Sequence, residues 1–287
     1  MWAHYPSSLP FLERTWKQCR HGWWWLTQWI RQGQRPPVVF VWPDMPSRRT
    51  ALHKITRELG WELTNKTRPD ALFGIKFEDA TRKHSGAVPV SMSDVTAFWN
   101  ASCHDISKSH LESQHQAAFG YGMRIDPTTH HGPLVVKSEE NAKHDGALVQ
   151  GPIASDQVQQ GVVYQREIDN RDKGGHHFDY RVVYIREAIP VVYKKYKDPV
   201  ARFTNETSRV ELLEVSPFTA DEEASMRRLA RGMQVDYAEF DALRDRGSGQ
   251  LYVVDVNPTP WGPPAQLHPE DQEVAIGRMA QSLRTSL

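Results

Sequence analysis

Hydrophobic residues change period several times along the chain. Residues 9–33, LPFLERTWKQCRHGWWWLTQWIRQG, mix apolar and basic positions as an amphipathic helix does, with Ser7 or Ser8 as a cap, Pro10 in the first turn and Gly33 as a stop. Pro36 and Pro37 end that pattern. The run VVFVW that follows is continuous and β-branched, as in a buried strand. A helical stretch near Arg48 to Leu59 and two more strand-like runs, WELTNK and ALFGIKF, complete a strand, helix, strand order. This order predicts a small parallel α/β domain over residues 35–104. No Gly-x-Gly-x-x-Gly turn follows VVFVW, so a dinucleotide site there has no support.

Beyond residue 105 the elements begin to carry chemistry. DISKSHLESQHQAAFGYGM spaces Leu111, Ala118 and Phe119 as a helix does, with Ser107 and Ser109 as potential caps and Lys108 near its start. GPLVVKS reads as a strand ending near Lys137, followed by the polar loop EENAKHDG and a second strand, ALVQG. A lysine leaving a strand beside a loop is one way to hold phosphate oxygens, although alone such a lysine is ordinarily a solvated edge residue. GVVYQREIDN reads as a strand running into a polar turn. DYRVVYIREAIPVVYKKY reads as a β-hairpin in which Asp179, Arg181 and Lys194 share one side. VDYAEFDAL and LYVVDVNPTPWGPP, separated by RDRGSGQ, form two strands that carry Asp241, Asp255 and Asn257 toward their ends. Residues two apart on a strand face the same way, so Asp255 and Asn257 present a carboxylate and a carboxamide together. Hard oxygen donors of that kind suit Mg²⁺ completed by nucleotide phosphates; the competing reading is a strand end that hydrogen-bonds the Asn-Pro-Thr-Pro turn.

Composition narrows the classes. Thirty-five Lys+Arg balance 35 Asp+Glu, and 39% of the 287 residues are hydrophobic. That describes an ordinary chain of about two domains, without the global positive field of a dedicated nucleic-acid binder. Two cysteines, Cys19 and Cys103, exclude a disulfide scaffold and fit a reducing, cytoplasmic compartment. No apolar run is long enough to span a bilayer, and a signal peptide is not evident. Six of the ten tryptophans fall within the first 29 residues. A basic, Trp-rich helix can lie on a membrane surface, dock a partner, or pack onto its own domain.

Taken in order, these features resemble the ATP-grasp fold, in which two α+β subdomains hold ATP between them. The resemblance covers residues 105–287 and rests on KS at a helix start, VVKS, YQREID, the Asp-x-Arg strand, FDAL and VVDVNPTP. The expected architecture is a Trp-rich helix (1–34), a small parallel α/β domain (35–104) and a two-subdomain ATP-grasp domain (105–287). By resemblance, Lys108 and Lys137 hold phosphates, and Gln165 with the backbone of Arg166, Glu167 and Ile168 forms the adenine hinge. Glu167 or Asp169 meets the ribose. Asp241, Asp255 and Asn257 bind Mg²⁺, and Arg181 with Lys194 faces the γ-phosphate or the acceptor, Lys195 pointing away. Asn205 is a looser match to a phosphate or acceptor contact. The activity implied is ADP-forming ligation of a carboxylate to an amine on a small-molecule substrate.

Two departures qualify it. The loop after Lys137, SEENAKHDGA, has only Gly146 where the family's loop is glycine-rich, and offers His144 and Asp145 instead. Asp255 stands where most of the ligases have glutamate, and an Asp, Asp, Asn metal set also resembles inositol-phosphate kinases of this fold. A kinase acting on a hydroxyl and a non-catalytic nucleotide-binding or interaction protein are therefore the alternatives. His130-His131 and His176-His177 read as solvated loop residues, and Cys103 as an ordinary thiol.

Overall fold

The computed structural model describes residues 11–83, 97–141, 143, 145–197 and 207–287. It begins with α1 (Phe11–Gln32), which ends before Gly33 in the left-handed region at φ +66°. Two of its tryptophans engage the chain's own domain. Trp25 Nε1 donates to Glu62 Oε2 at 3.1 Å, and the Arg57 guanidinium lies 3.8 Å from the Trp24 ring. Trp16, Trp23, Trp29 and Ile30 are exposed. The caps expected at Ser7 or Ser8 lie outside the described residues.

The strand, helix, strand pattern after the prolines folds as a parallel sheet in the order β2-β1-β3-β4. Its strands are β1 (Val38–Pro43), β2 (Glu62–Thr64), β3 (Ala71–Phe77) and β4 (Phe98–Trp99). Helix α2 (Ala51–Glu58) crosses from β1 to β2, capped by the Thr50 side chain, which accepts from His53 N.

Two antiparallel sheets follow. The first has three strands in the order β6-β5-β7: β5 (Gly132–Ser138), β6 (Ala147–Gly151) and β7 (Val162–Arg166). The second has five, in the order β10-β9-β8-β11-β12. These are β8 (His177–Ile185), β9 (Ala188–Lys197), β10 (Arg209–Leu212), β11 (Tyr237–Arg244) and β12 (Leu251–Asn257). Helix α3 (Lys108–Phe119) leads into the three-stranded sheet, α4 (Ala220–Gly232) precedes β11, and α5 (Pro269–Thr285) closes the chain.

The five-stranded sheet is a middle layer with apolar cores on both sides. On one side Phe178, Tyr180, Val182 and Phe240 pack with Leu111 of α3 and Met226 and Leu229 of α4. On the other, Val183, Val191, Tyr193 and Tyr237 share a core with Val39, Val41 and Phe73 of the parallel sheet and Met279 and Leu283 of α5. The parallel sheet thus completes its core against the second sheet, which anchors it near one end of the cleft described below.

Asn100 fixes this junction. It is fully buried at φ +55°, a left-handed conformation that asparagine tolerates better than most residues. Its Oδ1 accepts from Asp236 N at 2.7 Å and Tyr237 N at 3.0 Å, its Nδ2 donates to Tyr237 O at 2.8 Å, and its own N donates to Asp236 Oδ2 at 2.8 Å. Three bonds belong to the side chain, and their loss leaves buried backbone groups unsatisfied. Asn100→Ala is expected to destabilise the protein by about 3 kcal/mol, read as a lower urea midpoint at unchanged m-value.

Candidate active site

The three-stranded and five-stranded sheets face each other across a cleft, with the start of α3 at one edge. In β5 and β7, Val135 lies opposite Gln165 and Lys137 opposite Val163, which turns Val135, Lys137 and Gln165 to the same face. All three line the cleft together with Lys108, Arg166, Ile168 and Asn170. From the other sheet come Asp179, Lys197, Asp241, Leu243, Val254 and Asp255. Val135, Ile168, Leu243 and Val254 give an apolar slot, and the charged residues gather beyond it.

The charged end is built on β11 and β12. Asp241 lies directly opposite Asp255, and Glu239 opposite Asn257, so the four side chains share one face. A register shift follows Asp241: Asp255 pairs with Asp241, but Val253 pairs with Ala242, leaving Val254 as the extra residue. This bulge lets adjacent Val254 and Asp255 both line the cleft.

Each carboxylate has a cation. Lys108 Nζ donates to Asp255 Oδ1 at 2.6 Å and to Asn141 Oδ1 at 3.0 Å. Arg181 Nε donates to Asp241 Oδ1 at 3.0 Å, its Nη2 to Asp241 Oδ2 at 3.3 Å, and Glu239 Oε2 lies 3.5 Å from the same Nε. Burial alone would raise Asp241, but Arg181 and Lys195 hold it well below the usual carboxylate range. Glu239, more deeply enclosed, is raised to about 7 by burial despite Arg181. Asn257 Oδ1 accepts from Thr259 N at 2.9 Å, so the turn expected of Asn-Pro-Thr-Pro is formed through the same oxygen a metal would use.

The segment after β7 is tied at both ends. Arg166 N donates to Met123 O at 2.8 Å, Asp169 N to Asp245 Oδ2 at 3.2 Å, and Arg246 N to Asp169 O at 2.7 Å. The loop after β5 is held by Ser138 N on Asp145 Oδ1, by Asn141 N on Thr81 Oγ1, and by Ser109 N on Glu139 Oε2. The last of these caps α3 with a carboxylate, a service that the Ser107 side chain does not perform.

No protein-family model and no curated protein sequence matches the chain. Solved structures do match in three dimensions. The ATP-grasp ligase PsnB in complex with a minimal precursor superposes with a TM-score of 0.54 at 14% identity, over 87% of this chain and 99% of that one. The chain has the ATP-grasp fold. D-cycloserine synthetase DcsG gives a TM-score of 0.52 at 14% identity over 86% of this chain and 98% of that one. D-alanine–D-alanine ligase from Bacillus anthracis gives 0.50 at 12% identity, over 88% and 97%.

Within the ATP-grasp fold, Lys108, Lys137, Gln165, Arg166, Ile168, Asp241 and Asp255 all line one cleft, with Arg181 bonded to Asp241 beside it. Glu167 and Asp169 are not among the lining residues, and Asp169 is occupied by Arg171, whose Nε and Nη2 donate to its two oxygens at 2.7 and 2.8 Å. Asn170, one residue on, lines the cleft instead and anchors His177 Nδ1 at 2.8 Å. His177 is accordingly buried and not a solvated loop residue. His144 and Asn205 lie outside the described residues.

Lys194 is misplaced by the expectation. Tyr180 pairs with Lys194 and Asp179 with Lys195, which turns Lys194 to the opposite face, where its Nζ lies 4.2 Å from the Phe178 ring. The cause is a register shift: Ile185 pairs with Ala188 across the two-residue turn, but Val183 pairs with Val191. One extra residue reverses every side chain beyond it. Lys195 and Lys197 take the cleft side, 4.0 and 3.4 Å from Asp179 Oδ2.

Asp241 and Asp255 bring hard oxygen donors of the kind Mg²⁺ takes to the cleft from adjacent strands, whereas Asn257 is not among the lining residues and its Oδ1 already accepts from Thr259 N and Oγ1. Among the described residues no group of three His, Cys, Asp or Glu converges as a metal centre by itself.

Two predictions follow from the charges. For a triphosphate bound in this cleft, removing one of the two cations on the cleft face, in Lys195→Met, is expected to weaken affinity about tenfold, whereas Lys194→Met is expected to leave it within about twofold by isothermal titration. Lost hydration, reinforced by Lys108, lowers Lys137 to about 8. Its charge is complete below that pH and lost above it, so triphosphate affinity falls as pH rises through 8, approaching tenfold per pH unit. Titrations of Lys137→Met across the same pH range are expected to give a flat profile.

Proposed function

We propose that this ATP-grasp protein is an ATP- and Mg²⁺-dependent ligase that activates a carboxylate as an acyl phosphate, releases ADP and joins the acyl group to an amine. The observation that carries this reading is the facing pair Asp241 and Asp255 at the charged end of an apolar slot, bracketed by Lys108, Lys137 and Arg181.

The slot takes the adenine ring, with the backbone of Arg166 to Ile168 at its edge. Lys108 and Lys137 bind phosphate oxygens as compact point charges. Asp241 and Asp255, with Asn257 beside them, would hold Mg²⁺, which would supply positive charge to offset the negative charge that develops during transfer. Arg181 is oriented by its contacts with Asp241 and Glu239, so its guanidinium meets the γ-phosphoryl group without having to be ordered first. The substrate carboxylate oxygen attacks that phosphorus and ADP leaves. The amine nitrogen then attacks the acyl carbon, inorganic phosphate departs, and a proton is lost from nitrogen. PsnB was solved with a precursor peptide, so peptide carboxylates belong beside free acids among the candidate acceptors.

A second reading, a kinase acting on a hydroxyl, draws support from Asp179. This residue lines the cleft, and its Oδ1 is buried without a hydrogen-bond partner among the described residues, which suits a base for an incoming hydroxyl.

The test is purified protein with ATP, Mg²⁺ and pooled acids, peptides and polyols, each with and without amines, followed by nucleotide analysis and mass spectrometry. ADP release that requires an amine and yields an amide supports the ligase. Amine-independent ADP with a phosphorylated alcohol replaces it with the kinase. Asp241→Asn is expected to lower turnover about a hundredfold or more.

A further inference from the structure

Glu112 stands one helical turn beyond Lys108 on α3, so both side chains leave the same face of the helix. Lys108 reaches the charged end of the cleft, at Asp255. Glu112 reaches the other end, where its Oε1 accepts a hydrogen bond from Gln165 Nε2. Both residues are nearly inaccessible to solvent, 4% and 3% exposed.

A glutamine carboxamide has nearly the same shape after a half-turn, so packing alone does not decide which of its two polar atoms faces a ligand. A carboxylate neighbour does decide it. Glu112 offers Oε1 as an acceptor, which commits Nε2 of Gln165 to the helix and leaves Oε1 as the polar atom that Gln165 presents to the cleft it lines. The apolar walls, Val135, Ile168, Leu243 and Val254, accept any flat heterocycle and do not discriminate among bases. Discrimination therefore falls to hydrogen-bonding groups at the edge of the slot.

We propose that Glu112 sets the base specificity of the cleft by fixing the Gln165 carboxamide with its oxygen inward. This rests on the nucleotide reading given above. An inward acceptor suits a base carrying an exocyclic amine at position 6, as adenine does, and opposes the keto oxygen of hypoxanthine or guanine at that position. Glu112 Oε2 supports an orienting role over a stabilising one: it is buried without a partner among the described residues, and a carboxyl group that leaves an oxygen unsatisfied is a poor choice for stability alone. Glu112 is a positioning residue here, acting through Gln165.

The experiment compares ATP with ITP, which share ribose and triphosphate and differ by an amine or a keto oxygen at position 6. Affinities of both are measured by isothermal titration for the full chain and for Glu112→Leu, Glu112→Gln and Gln165→Met, each checked for folding by thermal melting. The unmodified protein is expected to favour ATP by about tenfold or more. Glu112→Leu brings that ratio to within about threefold while triphosphate binding persists, Gln165→Met does the same, and Glu112→Gln, whose carboxamide can donate as well as accept and so no longer fixes Gln165, gives a ratio between those of Glu112→Leu and the unmodified protein. A ratio unchanged in Glu112→Leu, or both nucleotides weakened equally, overturns the proposal in favour of a packing role. Equal affinity for ATP and ITP in the unmodified protein overturns it while nucleotide binding stands. Failure of the unmodified protein to bind either nucleotide sinks the nucleotide reading and this proposal with it.

Discussion

Two aspartates facing each other across neighbouring strands are the constraint on which the rest of this structure turns. Asp241 and Asp255 pair directly, and cross-strand side chains of that kind sit about 5 Å apart. At an effective dielectric near 20, two such charges repel by roughly 3 kcal/mol, so each needs a cation. The sequence meets that need from two different elements: Lys108 at the first position of α3 for Asp255, and Arg181 on β8 for Asp241. Helix α3 must therefore dock against β12, and β8 must lie beside β11. The cleft is what remains between those placements and the three-stranded sheet.

The same demand accounts for what the chain discloses about itself. Lys108 stands at the start of α3, Lys137 near the end of β5, and Asp241 and Asp255 within their strands, so helix start and strand period give each its local direction; that they belong to one cleft was implied by the resemblance to the ATP-grasp fold. The parallel sheet was equally legible, because VVFVW and ALFGIKF are buried on both faces and carry no competing helical period. Helices α4 and α5 went unread although their signals are local. Thr219 and Glu222 form a capping box at the start of α4, and α5 opens on Pro269 with Ala275, Met279 and Leu283 on its buried face.

Lys194 was not legible for a different reason. Alternation along a strand tells which residues share a face, but not across a hairpin, where the answer depends on the number of residues absorbed in the turn. A two-residue turn without irregularity would have put Lys194 opposite Asp179. The single shift between Val183 and Ile185 puts Lys195 there, and no residue type in YIREA announces it. Asp169 failed similarly. Its carboxylate was available in the sequence, but Arg171 two residues away claims both oxygens, and Asn170 faces the cleft. Contacts of this range depend on the path of the turn after Arg166, which propensity does not specify.

The compensating cations bear on catalysis as well as on folding. Asp255 Oδ1 engages Lys108, and both oxygens of Asp241 engage Arg181. In the ligase reading proposed above, a divalent cation at these carboxylates would take over the neutralisation that the two side chains supply, leaving Lys108 and Arg181 to meet phosphate oxygens. Glu239 Oε2, 3.5 Å from Arg181 Nε, is a second carboxylate contact to the same guanidinium, and its side chain is more deeply buried than that of Asp241. An arginine held by two carboxylates can lose one contact and keep the other, which favours the fixed geometry that meeting a γ-phosphoryl group requires.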